Sequence, residues 1–225
     1  MRRMSQKGKE RERRGTGAGA NYKPWIQTGE FGSKGTVSNP IDWKTGRQVQ
    51  LLSQGEVIAW YLLRWDDDNL DIREQFPLDI AQTQNIAAAY GIKHPVDSHG
   101  NPIVMTTDFL VTRANGEMAI SIKSDLETVS KSKRLIEKLF IEKVYWKKQG
   151  IPFSLYTKAD MNRVMADNIR NVVAFYNQEF FTDEVSLLKK LIARKLIDVD
   201  MSLPLNFRDL LQQYKGELRK WIQWK

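Results

Sequence analysis

The chain has 225 residues, 41% of them hydrophobic and 28% charged, with two histidines and no cysteine. That length holds one sizeable domain and a smaller one. The missing cysteines exclude disulfides and thiolate zinc sites, and two imidazoles supply a zinc site or a Ser–His relay poorly, so any metal chemistry falls to carboxylates and hard cations.

The net charge is +8 and gathers at the ends, +6 over residues 1–23 and +5 over residues 186–225. Basic ends around a near-neutral middle point to a polyanion, nucleic acid first. No apolar run reaches the roughly 20 residues that span a bilayer, so no membrane is expected. The basic start also lacks the apolar stretch of a secretory signal.

In chain order, residues 1–20 are poor in hydrophobic side chains and read as a disordered basic arm. Arg2, Arg3, Lys7, Lys9, Arg11, Arg13 and Arg14 are its candidate phosphate-binding residues. Gly15, Gly17 and Gly19 lack the strand before and the helix after that a dinucleotide fingerprint needs. Residues 21–50 read as short strands and turns, with Trp25 and Trp43 expected in the core rather than stacked on bases. Ser53 opens a helix in which Val57, Ile58, Tyr61, Leu62 and Trp65 form one apolar stripe. Ser53 and Glu56 match a capping box, so the Glu56 carboxylate has a purely structural use available to it. A short strand over residues 71–77 ends at Pro77. A polar stretch with a helix over 83–90 follows, in which His94 and His99 read as surface or packing residues.

Residues 103–113 and 117–124 are strand-like and flank Asn115-Gly116, the strongest short signal for a two-residue hairpin turn. With Asn115 and Gly116 as the loop, Asp108 falls directly opposite Lys123. Alternation then puts Asp108, Thr106, Thr112, Ser121 and Lys123 on one face and Phe109, Val111, Ile120 and Ile122 on the other. The polar face is either a solvated surface with an ordinary ion pair or an active site. Phosphodiester cleavage needs an activated water and neutralised phosphate charge, which carboxylates on Mg²⁺ and a nearby lysine can provide. Glu56 is the best supplier of a second carboxylate, and the Ile122 carbonyl can add an oxygen. A long helix over 130–149 and a strand over 151–157 complete the first part. Helices over 162–181, 184–196 and 207–225 then form a small appendix with basic faces, left open between a winged-helix-like DNA module, a docking module and both at once. The expected division is an arm over 1–20, an endonuclease domain over 21–158 and a helical module over 159–225.

The order helix–strand–hairpin–helix–strand resembles the α/β core of the restriction-endonuclease-like PD-(D/E)xK nucleases, a mixed sheet flanked by helices. Asp108 takes the place of the first acid and Ser121-Ile122-Lys123 that of (D/E)-x-K, with serine where the pattern has its second acid. More closely, the chain resembles the TnsA-type transposon endonucleases. The likeness is carried by Tyr22-Lys23-Pro24-Trp25, Lys44-Thr45-Gly46-Arg47, Leu52-Ser53 with Glu56, residues 70–78 (LDIREQFPL), residues 91–96, residues 107–111, Ile122-Lys123 and residues 137–152. The resemblance implies Glu56, Asp108 and Lys123 as the catalytic set. It implies Mg²⁺, with Mn²⁺ as a substitute, held by Glu56, Asp108 and the Ile122 carbonyl, with Ser121 touching it through water. It further implies cutting of the 5′ (non-transferred) strand of double-stranded DNA at transposon ends, in the cytoplasm of a prokaryote and at the nucleoid. The implied partners are a DDE transposase and an AAA+ ATPase regulator, the latter through the C-terminal module. The rival expectations are a stand-alone restriction or repair nuclease and a DNA-binding scaffold subunit without catalysis.

Overall fold

The computed structural model describes residues 4–30, 37–181 and 183–222. The chain divides into two compact units, one up to Met161 and one from Asn162.

The first unit is built on a four-stranded sheet ordered β1 (Asn69–Pro77), β2 (Thr106–Arg113), β3 (Gly116–Lys123), β4 (Phe153–Thr157). β1, β2 and β3 pair antiparallel, and β4 runs parallel to β3. A parallel neighbour requires a crossover, supplied by α4 (Leu126–Lys131) and α5 (Lys133–Lys148). This mixed sheet flanked by helices is the α/β architecture expected from the sequence. The reading of one helix over 130–149 is corrected to two. Ser132 ends α4 and its side chain accepts from Leu135 N to cap α5.

Both faces of the sheet are covered. Leu110 and Ala119 pack with Ile141, Tyr145 and Trp146 of α5 and with Ile86 of α3 (Ile80–Ala89). Ile122 meets α2 (Gln54–Trp65) at Gly55, where an added Cβ would lie 2.9 Å from the Ile122 Cγ2. A glycine at the first turn of α2 therefore lets the helix come down onto β3, and the residue after it is Glu56. Trp43 is buried, as expected, between Trp60 (edge-on, 5.3 Å) and Tyr61 (stacked, 6.2 Å) of α2. Trp25 is buried too. Burial of side chains of this size contributes about 2–3 kcal/mol each, which anchors α2 along its length.

The hairpin register differs from the expected one. Arg113 pairs with Gly116, so Ala114 and Asn115 form the loop and Asp108 stands across from Ser121 rather than Lys123. A polar cluster fixes this register: Arg73 and Thr112 both donate to the Glu117 carboxylate, which sits beside Thr112 in the paired position. A shift of two residues leaves every side chain on its face, so Asp108, Ser121 and Lys123 still share one side.

The expected disordered arm is also corrected. Gln6–Arg11 is a helix, α1, capped by Ser5. Lys9 and Arg14 are buried against Glu30. Gly15 lies so close to Pro77 of β1 that a Cβ would meet its ring at 2.2 Å, and Gly19 N donates to Asp71. Buried salt bridges and these contacts with β1 hold the segment in place, which low hydrophobicity alone did not reveal.

The second unit packs α6 (Arg163–Val173) on α7 (Glu184–Ala193), followed by α8 (Phe207–Gln213) and α9 (Lys215–Ile222). Ala166, Ile169 and Val172 of α6 and Leu188, Leu191 and Ile192 of α7 are among its buried residues. No strand occurs among its described residues, so they form no wing. The last expected helix is two, broken at Tyr214. Much of the basic face of α7 is spent inside the unit. Lys189 lies over Phe175 and Phe207, Lys190 donates to Gln178 O, and Arg194 stacks 3.9 Å over Tyr176.

Candidate active site

β2 and β3 pair only as far as Phe109 and Ile120. Beyond that point β2 continues along β1, with Thr107 opposite Phe76, while β3 continues along β4, with Ser121 opposite Leu155 and Lys123 opposite Thr157. The strands part, and the Asp108 side chain enters the gap. Its Oδ2 accepts the Ile122 N–H at 2.6 Å, replacing the ladder bond that the parted strands no longer make.

Lys123 turns back into the same gap. Its Nζ donates to the Ile122 carbonyl at 2.7 Å, to Ser121 Oγ at 2.8 Å and to Asp108 Oδ2 at 3.3 Å. Ser121 Oγ donates to Asp108 at 3.3 Å. The serine thus joins the lysine to the aspartate, which is the use its short side chain has here.

Glu56 reaches the site from the first turn of α2, which Ser53 caps. Its Oε2 accepts from Leu52 N at 2.9 Å and from Gln75 Nε2 at 3.0 Å, and its Oε1 from Ser53 Oγ at 2.9 Å. The capping use foreseen for this carboxylate is therefore real, with Leu52 rather than Ser53 giving the main-chain N–H. It coexists with the site. Burial, and then the charge of Asp108, raise Glu56 to a pKa of about 7.

A fourth group was not singled out from sequence. Glu142 of α5 is buried and accepts from Thr107 Oγ1 at 2.8 Å. Thr107 Oγ1 in turn accepts from Trp146 Nε1 at 2.7 Å. Burial first, and the charge of Asp108 second, push Glu142 up to about 8. A signal for it was present. Leu135, Leu139, Glu142 and Trp146 fall at helical spacing, so an acid stands in the apolar stripe of α5. A carboxylic acid there must be neutral, paired or functional.

The arrangement gathers three carboxyl groups about one ammonium. Desolvation and mutual repulsion keep two of the acids protonated to unusually high pH, and a divalent cation would relieve both. The donors fit a hard cation, being carboxylate oxygens and the Ile122 carbonyl, and the ammonium already bonds two of them, Asp108 Oδ2 and the Ile122 carbonyl. Among the described residues no three acidic or histidine side chains form a ready cage. A sparse protein set of this kind, with phosphate and water completing the shell, is how Mg²⁺ is commonly held.

The other sequence candidates lie elsewhere. Arg2 and Arg3 are outside the described residues. Lys7, Arg11 and Arg13 are exposed, while Lys9 and Arg14 are buried in pairs with Glu30. His94 packs between Thr83 Oγ1 and the Pro95 carbonyl, which occupy both of its ring nitrogens.

A model of TnsA-like endonuclease N-terminal domains matches residues 66–158, which include Asp108, Ser121, Lys123 and Glu142. The chain is 37% identical, over 184 residues, to the transposon Tn7 transposition protein TnsA of Escherichia coli. The match covers 80% of this chain and 66% of that relative.

Proposed function

The chain belongs to the TnsA-like endonuclease family, and on that footing we propose that it is the metal-dependent endonuclease subunit of a transposon, cutting the 5′ strand of double-stranded DNA at the transposon ends. The observation that carries the reading is the excess of buried carboxyl groups around one lysine where β2 and β3 part. Asp108, Glu56 and the Ile122 carbonyl would hold Mg²⁺ or Mn²⁺, with Glu142 adding negative charge behind them. A bound cation would neutralise phosphate charge and lower the pKa of the attacking water.

The chain's own groups do the rest. Lys123, tethered by Ser121, offers an ammonium to a phosphoryl oxygen or to the water. Ser121 positions that ammonium and Asp108 and is not itself assigned to the metal. Exposed Lys7, Arg11 and Arg13 add phosphate contacts on the flanking duplex. The partner that joins the 3′ strand is a DDE transposase, and an AAA+ regulator docks on the C-terminal unit. Its action on DNA is placed in the cytoplasm by this reading, and no helix among the described residues is long and apolar enough to cross a membrane.

The test is nicking of end DNA in the presence of the transposase. Asp108→Ala and Lys123→Ala should each lower 5′-strand cutting by about a thousandfold or more, the scale of losing metal or charge stabilisation. Assembly on the ends should persist. Undiminished cutting by either variant refutes the reading.

A further inference from the structure

Gln75 stands in the most distinctive stretch of the sequence, residues 70–78, and the site described above leaves it without a task. It adopts φ +49° in the interior of β1, where a side-chain-bearing residue is rarely left-handed. It is buried. Its neighbours pair as Glu74 with Phe109 and Phe76 with Thr107, so Gln75 occupies the register position across from Asp108. Its amide Nε2 donates to Glu56 at 3.0 Å, its Oε1 accepts from Thr106 Oγ1 at 3.4 Å, and its carbonyl accepts from Trp25 N at 3.2 Å.

We propose that Gln75 is a positioning residue of the nuclease site: its left-handed kink presents the side-chain amide to Glu56 and sets that carboxylate relative to Asp108. A strand in ordinary conformation would need no strained residue here, and glycine would adopt this backbone freely. Instead the chain keeps a long amide whose one side reaches Glu56 on α2 and whose other side reaches Thr106 on β2. Backbone strain retained beside a candidate ligand is the pattern of a functional constraint. Glu56 sits at the end of a helix, held locally by Leu52 and Ser53. Gln75 is its bond to the sheet, and the sheet carries Asp108. The inference rests on the proposed binding of a divalent cation by Glu56 and Asp108.

The test reads two quantities on the whole chain, the unfolding temperature without metal and the affinity for Mn²⁺ alone, followed by electron paramagnetic resonance. In Gln75→Gly the unfolding temperature should stay level or rise, because glycine relieves the backbone, while Mn²⁺ affinity falls at least tenfold. Gln75→Asn tolerates the left-handed backbone but is one methylene short of Glu56, and it should lose affinity in the same way. Mn²⁺ binding within twofold of the unaltered protein in either folded variant overturns the inference. So does a fall in unfolding temperature in both variants with affinity unchanged, which would make Gln75 a structural residue only. Asp108→Ala is measured in parallel. If it too leaves Mn²⁺ binding unaltered, the metal reading itself fails; if only Asp108→Ala loses binding, the metal reading stands and the role given to Gln75 is wrong.

Discussion

Two charged clusters touch β1, one through Glu74 and one through Gln75, and differ in how their charges balance. Glu74 is fully buried and takes both terminal guanidinium nitrogens of Arg47, at 2.6 and 2.7 Å, with Gln50 N at 3.0 Å. Asp42 takes Arg64 Nε at 2.8 Å, with Lys44 N and Thr45 Oγ1 both at 2.9 Å. One residue beyond Glu74 begins the other cluster, where Glu56, Asp108 and Glu142 share the single ammonium of Lys123. In the first, each acid meets its cation and the lone pairs are filled, which is what makes a buried ion pair tolerable. In the second, the acids outnumber the cation and two of them respond by holding protons, Glu56 to about 7 and Glu142 to about 8. Matched charge holds the fold together. Unmatched charge is kept at a cost in stability, and it is on this cluster that the proposed cation site rests.

The comparison is broken most severely on the matched side. Glu74→Ala leaves Arg47 buried without its partner and should destabilise the protein by about 3–5 kcal/mol in denaturant unfolding. A change below about 1 kcal/mol would mean that the pair is not structural.

The unmatched side predicts a pH dependence. Glu56 and Glu142 have folded pKa values above their ordinary 4.5. Between that value and about 7 to 8 the folded state therefore binds protons that the unfolded state has released. The stabilisation is complete below pH 4.5 and is lost as pH rises through the folded values, so metal-free protein should be less stable at pH 8.5 than at pH 5. Each pKa unit of such a shift corresponds to about 1.4 kcal/mol of stability. Saturating Mg²⁺ should shrink the difference. Metal-free stability that rises from pH 5 to pH 8.5 would contradict the carboxyl cluster.

Glu142→Gln should sharpen the contrast with a smaller effect. The amide is neutral at every pH and keeps the size of the side chain. Stability at pH 8.5 should match or exceed that of the unaltered protein, by about 1 kcal/mol, while Mn²⁺ affinity drops. Calorimetric unfolding at two pH values, with Mn²⁺ titration, checks both halves. A large drop in stability would place Glu142 with the matched pairs.

The smallest effect belongs to the exposed cations. Replacing Lys7, Arg11 and Arg13 together by alanine should leave the unfolding temperature unchanged. It should also flatten the salt dependence of DNA binding, by nearly one unit of slope for each phosphate that is no longer neutralised. Lys9→Ala should do the opposite, lowering stability by removing a buried partner of Glu30. An unchanged slope in the triple variant would remove these residues from the DNA-binding surface.

The sequence by itself determined a good deal of this molecule. Apolar spacing placed the α2 helix, turn chemistry placed the hairpin, and the order of elements gave the core sheet. Asp108, Ser121 and Lys123 were assigned to one face correctly even though the register was off by two, because strand alternation survives any even shift. Glu56 was picked out as the second carboxylate its helix could supply and by the family resemblance, while its spacing from Ser53 foretold the capping bonds, which are present. Local periodicity carries all of these, and it is written in neighbouring residues. Tertiary structure decided what depends on surroundings. A cross-strand contact between Arg73 and Glu117, 44 residues apart, set the hairpin register. Glu30 turned two cations of the basic arm from candidate DNA contacts into buried ion pairs. The approach of α5 to β2 made Glu142 an inward acid of the site, and the kink at Gln75 joined Glu56 to the sheet. Each of these is a desolvation or a long-range pairing. Their energies depend on which groups lie across the gap, and no local pattern encodes that.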